Sequence, residues 1–78
     1  MSKRVRYTQK GLYGKHVGED RINEVITAVL KDRYYMRHLD QRVVDNLRSE
    51  SVRSRRRGYD AVCAFEARLV REGMIQES

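Results

Sequence analysis

The chain has 78 residues, one cysteine, no proline and a formal net charge of +6 at pH 7. A chain of this length makes at most one domain and buries only about 60–65% of the surface that its unfolded form exposes, so it has little room for an enclosed cofactor pocket. A single cysteine excludes an internal disulfide, which favours a cytoplasmic protein over a secreted one. No apolar run approaches the roughly 20 residues that span a bilayer, so we expect no membrane partner.

The positive charge is concentrated in two blocks. Residues 1–18 carry five bases and no acid, and residues 51–57 carry four arginines and no acid. Residues 19–50 have a net charge of −1, and residues 58–78 have a net charge of −2. A solvated surface normally mixes both signs, so this separation favours docking to an anionic partner over a role in solubility alone. The sequence therefore predicts a basic N-terminal arm, residues 1–18, and a helical domain, residues 19–78.

The N-terminal arm contains three glycines and few apolar residues. Residues 5–8 fit either a short strand that pairs with residues 12–13 across a turn at 9–11, or an extended arm. Because few side chains are available to pin this segment, we expect residues 1–10 to be poorly ordered in the free protein and dispensable for folding.

Hydrophobic spacing predicts helices in the rest of the chain. The i, i+3, i+4, i+7, i+8 pattern that begins at Ile22 predicts a helix over residues 20–37. Asp40 and Ser51 are predicted to cap helices over residues 41–49 and 52–57. A turn at residues 58–60 then leads to a last helix over residues 61–72, which Gly73 ends. The predicted core consists of Val25, Ile26, Val29, Leu39, Val43, Leu47, Val62, Phe65 and Leu69.

The residue types offer little for catalysis. Cys63 lies among small and apolar residues, which predicts a buried core thiol rather than a reactive thiolate. One cysteine with His16 and His38 cannot supply the four ligands of a structural zinc site. The sequence also lacks a phosphate-binding glycine loop. We therefore expect no enzymatic activity, catalytic residue, metal, cofactor or small-molecule substrate.

The predicted helices form a mainly α domain with a helix-turn-helix-like arrangement, because a glycine-containing turn of three residues separates two of them. The stretch from Ala67 to Ile75 resembles the end of the third helix in winged-helix domains, where a wing hairpin follows, although only three residues follow Ile75 here. One feature opposes base reading: a recognition helix that begins at Asp60 places a carboxylate and small apolar side chains, not arginines, in its first turn.

The basic opening Ser2-Lys3-Arg4-Val5-Arg6-Tyr7-Thr8-Gln9 and the stretch from Ser51 to Tyr59 resemble small, basic bacteriophage proteins that bind the host RNA polymerase and act as inhibitors or antiterminators. The resemblance implies polymerase subunits near the RNA exit channel as partners, with nascent RNA close by.

Two functions follow as hypotheses: a regulator that binds bacterial RNA polymerase, and a helix-turn-helix DNA-binding protein. A general helical adaptor, or a partner of the toxin–antitoxin type, is the third alternative. The candidate partner-binding residues are Lys3, Arg4, Arg6, Tyr7, Lys10, Tyr13 and Lys15. The candidates for binding RNA or DNA phosphates, or an acidic protein surface, are Arg48, Arg53, Arg55, Arg56 and Arg57.

Overall fold

The computed structural model describes residues 4–76, and they form a mainly helical fold, as the sequence predicts. Two very short strands lie at the two ends of the described chain, and a single turn of 3-10 helix, Gly14–His16, precedes the first α-helix. The elements in chain order are β1 (Arg4–Val5), α1 (Glu19–Leu30), α2 (Arg33–His38), α3 (Gln41–Arg48), α4 (Val52–Arg71) and β2 (Ile75–Gln76).

The predicted helix over residues 20–37 is in fact two helices, α1 and α2. Asp32 causes the break, because its carboxylate accepts hydrogen bonds from the amides of Tyr34 and Tyr35, at 2.9 and 3.3 Å, and so caps α2. A side chain that satisfies the free amides of a first turn favours a new helix start over continuation. Helix α3 has nearly its predicted bounds, although Asp40 makes no capping hydrogen bond with its side chain.

The predicted turn at residues 58–60 is wrong, because α4 runs unbroken through it. Gly58 is helical and buried against α3: a Cβ atom at this position would lie 2.7 Å from Leu47 Cδ2 and 3.1 Å from the Leu47 backbone nitrogen. The glycine therefore permits close approach of two helices rather than a left-handed turn. The turn that joins the pair is residues 49–51, between α3 and α4.

Helix α4 ends as the sequence predicts, at a left-handed Gly73 with φ 74°. The Met74 amide donates to the Leu69 carbonyl at 2.9 Å and the Gly73 amide to the Val70 carbonyl at 3.0 Å, which is the paired pattern of a Schellman motif. The motif turns the chain into β2, which pairs in parallel with β1. Of the two alternatives for residues 5–8, the structure therefore does not show the pairing with residues 12–13, because the strand partner of Arg4 and Val5 is β2.

The core lies where α1, α2 and α3 pack on α4. Seven of the nine predicted core residues are buried, whereas Leu39 and Val43 are half-buried. The pattern did not predict two tyrosines, Tyr35 and Tyr59, which are 0% and 1% exposed. It also did not predict that Thr8 and Glu66 are both 0% exposed. These polar residues show that the segment before α1 belongs to the folded core.

Candidate functional site

Two side chains, Ser51 and Arg55, fix the position of the N-terminal end of α4. The Ser51 side chain accepts a hydrogen bond from the Ser54 amide at 3.3 Å, so Ser51 is the N-cap that the sequence predicts. Arg55 donates to the carbonyls of Ser49 and Glu50, at 3.2 and 2.7 Å, and to Glu19 Oε1 at 3.0 Å. These contacts fix the turn at 49–51 and tie it to α1. Arg55 is therefore occupied within the fold.

Arg56 is also occupied, by the segment before α1. Its guanidinium donates to the Gly14 carbonyl and, at 2.8 Å, to the Val17 carbonyl. One turn along α4, the Asp60 carboxylate accepts from the Gly14 amide at 2.5 Å. Both backbone groups of Gly14 are thus held by α4. A Cβ atom on Gly14 would lie 3.0 Å from the Arg56 carbonyl oxygen, a tight contact, so this close approach favours glycine.

Arg53 and Arg57 differ from the two arginines between them. Both are exposed, and neither has a hydrogen bond or ion pair within residues 4–76. They are four residues apart, so they lie one above the other on one face of α4. Arg48, the last residue of α3, is also exposed and unpaired in the described part of the chain. Arg48 and Arg53 flank the turn at 49–51, and Arg57 lies one helical turn beyond Arg53. The dipole of the α4 N-terminus adds positive potential there.

The N-terminal segment is anchored on the buried carboxylate of Glu66, in the C-terminal half of α4. Glu66 Oε2 accepts from the Tyr7 amide at 2.8 Å and from the Tyr35 hydroxyl at 2.5 Å. Glu66 Oε1 accepts from the Thr8 amide at 3.2 Å and from the Thr8 hydroxyl. Four donors compensate for the loss of water around this carboxylate. The expectation that residues 1–10 are poorly ordered is therefore wrong for residues 7 and 8, and these contacts oppose the prediction that the segment is dispensable for folding.

A second anchor is Asp32, which caps α2 and also holds the N-terminal segment. Its Oδ2 accepts from Arg4 at 2.9 Å and from the Tyr7 hydroxyl at 2.7 Å. Burial opposes ionisation of Asp32, but the hydrogen bonds from Tyr7 and Tyr35 and the Arg4 charge outweigh it, so its pKa lies below the ordinary value. The Arg4 guanidinium also lies 4.5 Å from the ring centroid of Tyr34.

The predicted partner-binding residues are thus divided between internal contacts and the surface. Arg4, Arg6 and Tyr7 make contacts inside the fold. Lys10 and Tyr13 line a cleft beside α4. Lys15 is exposed on the 3-10 helix. Lys3 lies outside the described residues.

Cys63 is buried in α4, where its thiol donates to the Leu12 carbonyl at 3.6 Å. Burial raises its pKa above the ordinary value, which disfavours the thiolate. Within residues 4–76, no cluster of three or more histidine, cysteine, aspartate or glutamate side chains could hold a metal ion.

The sequence does not show which of the four arginines in residues 51–57 stay exposed and which make internal contacts. That depends on which of them face the N-terminal segment. Their i, i+3, i+4 spacing puts Arg53, Arg56 and Arg57 near one face of a helix. The Arg56 side chain nevertheless donates to the backbone of Gly14. The one available signal was Gly14 itself, a glycine within a basic segment and a candidate for close backbone approach.

Comparison of the chain with models of protein families, with curated proteins and with solved structures found no match. Among the described residues, no helix is long and apolar enough to cross a membrane.

Proposed function

We propose that the protein is a transcription regulator that binds duplex DNA through the start of α4, in the cytoplasm of a bacterial host. The observation that supports the proposal is the pair of exposed, unpaired arginines, Arg53 and Arg57, in the first two turns of a helix that follows another helix after a three-residue turn. DNA-binding helix pairs of this kind present the N-terminal residues of the second helix to the major groove.

The sequence opposes base reading only if the second helix of the pair begins at Asp60, and the structure places that start at Val52. A helix beginning at Asp60 offers no arginine in its first turn, whereas α4 begins at Val52 and offers Arg53 directly. Arg48 and Arg57 then supply positive charge on either side of the turn, and such contacts to phosphates position a protein on DNA. Arg55 and Arg56 support the site by fixing the turn and the N-terminal segment.

Binding of bacterial RNA polymerase is the second candidate, because a different surface carries exposed apolar side chains. Val5, in β1, is 59% exposed, and Met74, directly before β2, is 48% exposed. The Tyr34 hydroxyl lies 4.0 Å from the Met74 sulfur. Aromatic residues and methionine are enriched in protein–protein interfaces, so this end of the molecule suits a protein partner.

Binding of a fluorescently labelled DNA duplex to the purified chain, followed by anisotropy at several salt concentrations, tests the first candidate. We expect binding without any other protein, with an affinity that falls steeply as salt rises. An absence of binding at low salt would contradict the DNA proposal. Retention of RNA polymerase by the immobilised chain after nuclease treatment, lost on changing Val5 and Met74 to serine, would then support the second candidate.

A further inference from the structure

A groove between the start of α3 and residues 61–68 of α4 exposes apolar side chains that the sequence pattern predicts to be buried. Leu39 and Val43 are the two predicted core residues that the fold leaves half-buried, and both line this groove. The groove has a volume of about 310 Å³, and its α4 side consists of Ala61, Ala64, Phe65 and Arg68. Because an apolar surface left open to water favours a protein partner, the incomplete burial of Leu39 and Val43 indicates a contact with another chain.

The rim of the groove carries an acid whose side chain has no partner in the described part of the chain. The Asp40 side chain makes no capping hydrogen bond to α3, and it has no ion pair within residues 4–76. On the α4 side, the Arg68 Nε lies 3.9 Å from the Glu72 carboxylate, and both side chains are more than half exposed, so solvent weakens this pair. The other ionisable group of the lining is His38, whose ring packs on that of Tyr34 with a centroid distance of 4.5 Å. The rim therefore offers one unpaired acid and one weakly held base.

We infer that this groove binds a second copy of the chain, in a dimer with two-fold symmetry. In such a dimer, a contact from residue i of one copy to residue j of the other is made twice. Each Asp40 thus pairs with Arg68 of the other copy, and the two apolar grooves cover each other. A different protein has to supply a base opposite Asp40 and an acid opposite Arg68, whereas the groove itself carries both groups.

The position of the groove along α4 also sets the distance between the two helix starts. The groove residues of α4 centre near residue 64, which is about 17 Å along the helix from Arg53 at about 1.5 Å per residue. When the two α4 helices run antiparallel across the axis, their Arg53 residues lie about 34 Å apart, which matches the roughly 34–36 Å between successive half-sites on DNA. This match rests on the proposed DNA binding, whereas the contacts in the groove do not.

Sedimentation velocity of the full chain without DNA, over a range of concentrations, tests the dimer. We expect the parent to shift from monomer to dimer as its concentration rises. Ala64→Glu places a charge on an exposed residue of the groove, so it should weaken dimerisation at least about tenfold, with unchanged helix content by circular dichroism. Asn23→Glu adds the same charge to the exposed surface of α1 and should dimerise like the parent.

Reversal of the two rim charges tests the pairing itself. Asp40→Arg and Arg68→Glu should each weaken dimerisation, because each variant places like charges opposite one another twice across the axis. The double variant restores opposite charges at both places, so its dimerisation should recover toward that of the parent.

Three results would overturn the inference. The first is a parent chain that stays monomeric up to about 1 mM. The second is an Ala64→Glu variant that dimerises like the parent, which would place the interface elsewhere. The third is a double charge reversal that dimerises no better than either single variant. A monomer that binds DNA would leave the proposed function standing without the dimer, and a dimer that binds no DNA would leave the groove contact standing without the proposed function.

Discussion

At the residue scale, the buried carboxylate of Glu66 links three parts of the chain: the N-terminal segment, α2 and α4. Replacing Glu66 with glutamine should lower the free energy of unfolding by about 2–4 kcal/mol, because one acceptor oxygen becomes an amide that faces donors. Urea denaturation measures this loss. The exposed Glu72, the C-cap of the same helix, is the control, and Glu72→Gln should stay within about 0.5 kcal/mol. Equal urea midpoints for the two variants would contradict the claim that the buried Glu66 carboxylate stabilises the fold.

The Tyr35 hydroxyl makes stability depend on alkaline pH. Burial, and then the hydrogen bond and charge of Glu66, raise the pKa of Tyr35 above its ordinary value. The folded state therefore keeps a proton that the unfolded state loses near pH 10, so this contribution to stability is complete below about pH 10 and is lost as pH rises further. Tyr35→Phe should flatten the fall of the denaturation midpoint above pH 10, whereas Tyr13→Phe should not. A parallel fall in both variants would contradict the prediction.

Replacing Gly58 with alanine should destabilise the folded protein, although the residue lies inside a helix. Alanine normally favours a helix interior over glycine by about 1 kcal/mol. Here its Cβ would lie 2.7 Å from Leu47 Cδ2, so Gly58→Ala should instead cost about 1–3 kcal/mol. In a double-mutant cycle with Leu47→Ala, the two losses should sum to more than the loss of the double variant. Additive losses, or a stabilised Gly58→Ala, would show that α3 and α4 do not meet there.

At the element scale, the N-terminal segment behaves as part of the core. Deleting residues 1–8 would remove three of the four donors to Glu66 together with the buried Thr8. We therefore expect the deletion to lower the thermal midpoint by many degrees or abolish cooperative unfolding, because it leaves a buried carboxylate poorly satisfied. Circular dichroism during heating measures the change. A thermal midpoint of the deletion variant within two degrees of the parent would show instead that these residues are dispensable for folding.

The elements also show where sequence reasoning succeeded. The stripe from Ile22 to Val29, the start of α3, the Ser51 cap and the Gly73 end of α4 follow from local patterns, and the structure confirms them. The errors at Asp32 and Gly58 have different causes. At Asp32, a local cap of the Tyr34 and Tyr35 amides begins a new helix where the hydrophobic pattern continues. At Gly58, a tertiary contact decides the outcome, because Leu47 occupies the space that a Cβ atom would take.

At the scale of the whole molecule, the sequence predicts the charge layout but not which charges stay free. The two basic blocks are not an arm and a separate cluster, since Arg56 holds the backbone of Gly14 and Val17. Packing the two blocks together brings like charges close, and carboxylates such as Glu66 and Asp32 offset part of the repulsion. No local pattern could predict this, because the partners lie 28 to 60 residues apart.

The salt dependence of DNA binding by paired arginine variants tests the central claim most directly. Arg53→Gln/Arg57→Gln changes the exposed face at the start of α4, and Arg33→Gln/Arg37→Gln removes the same charge, at the same spacing, from the exposed surface of α2. In plots of log affinity for a DNA duplex against log salt, the first variant should bind more weakly with a slope reduced by about two units, and the second should match the parent. Equal slopes and affinities for both variants and the parent would contradict DNA binding through α4.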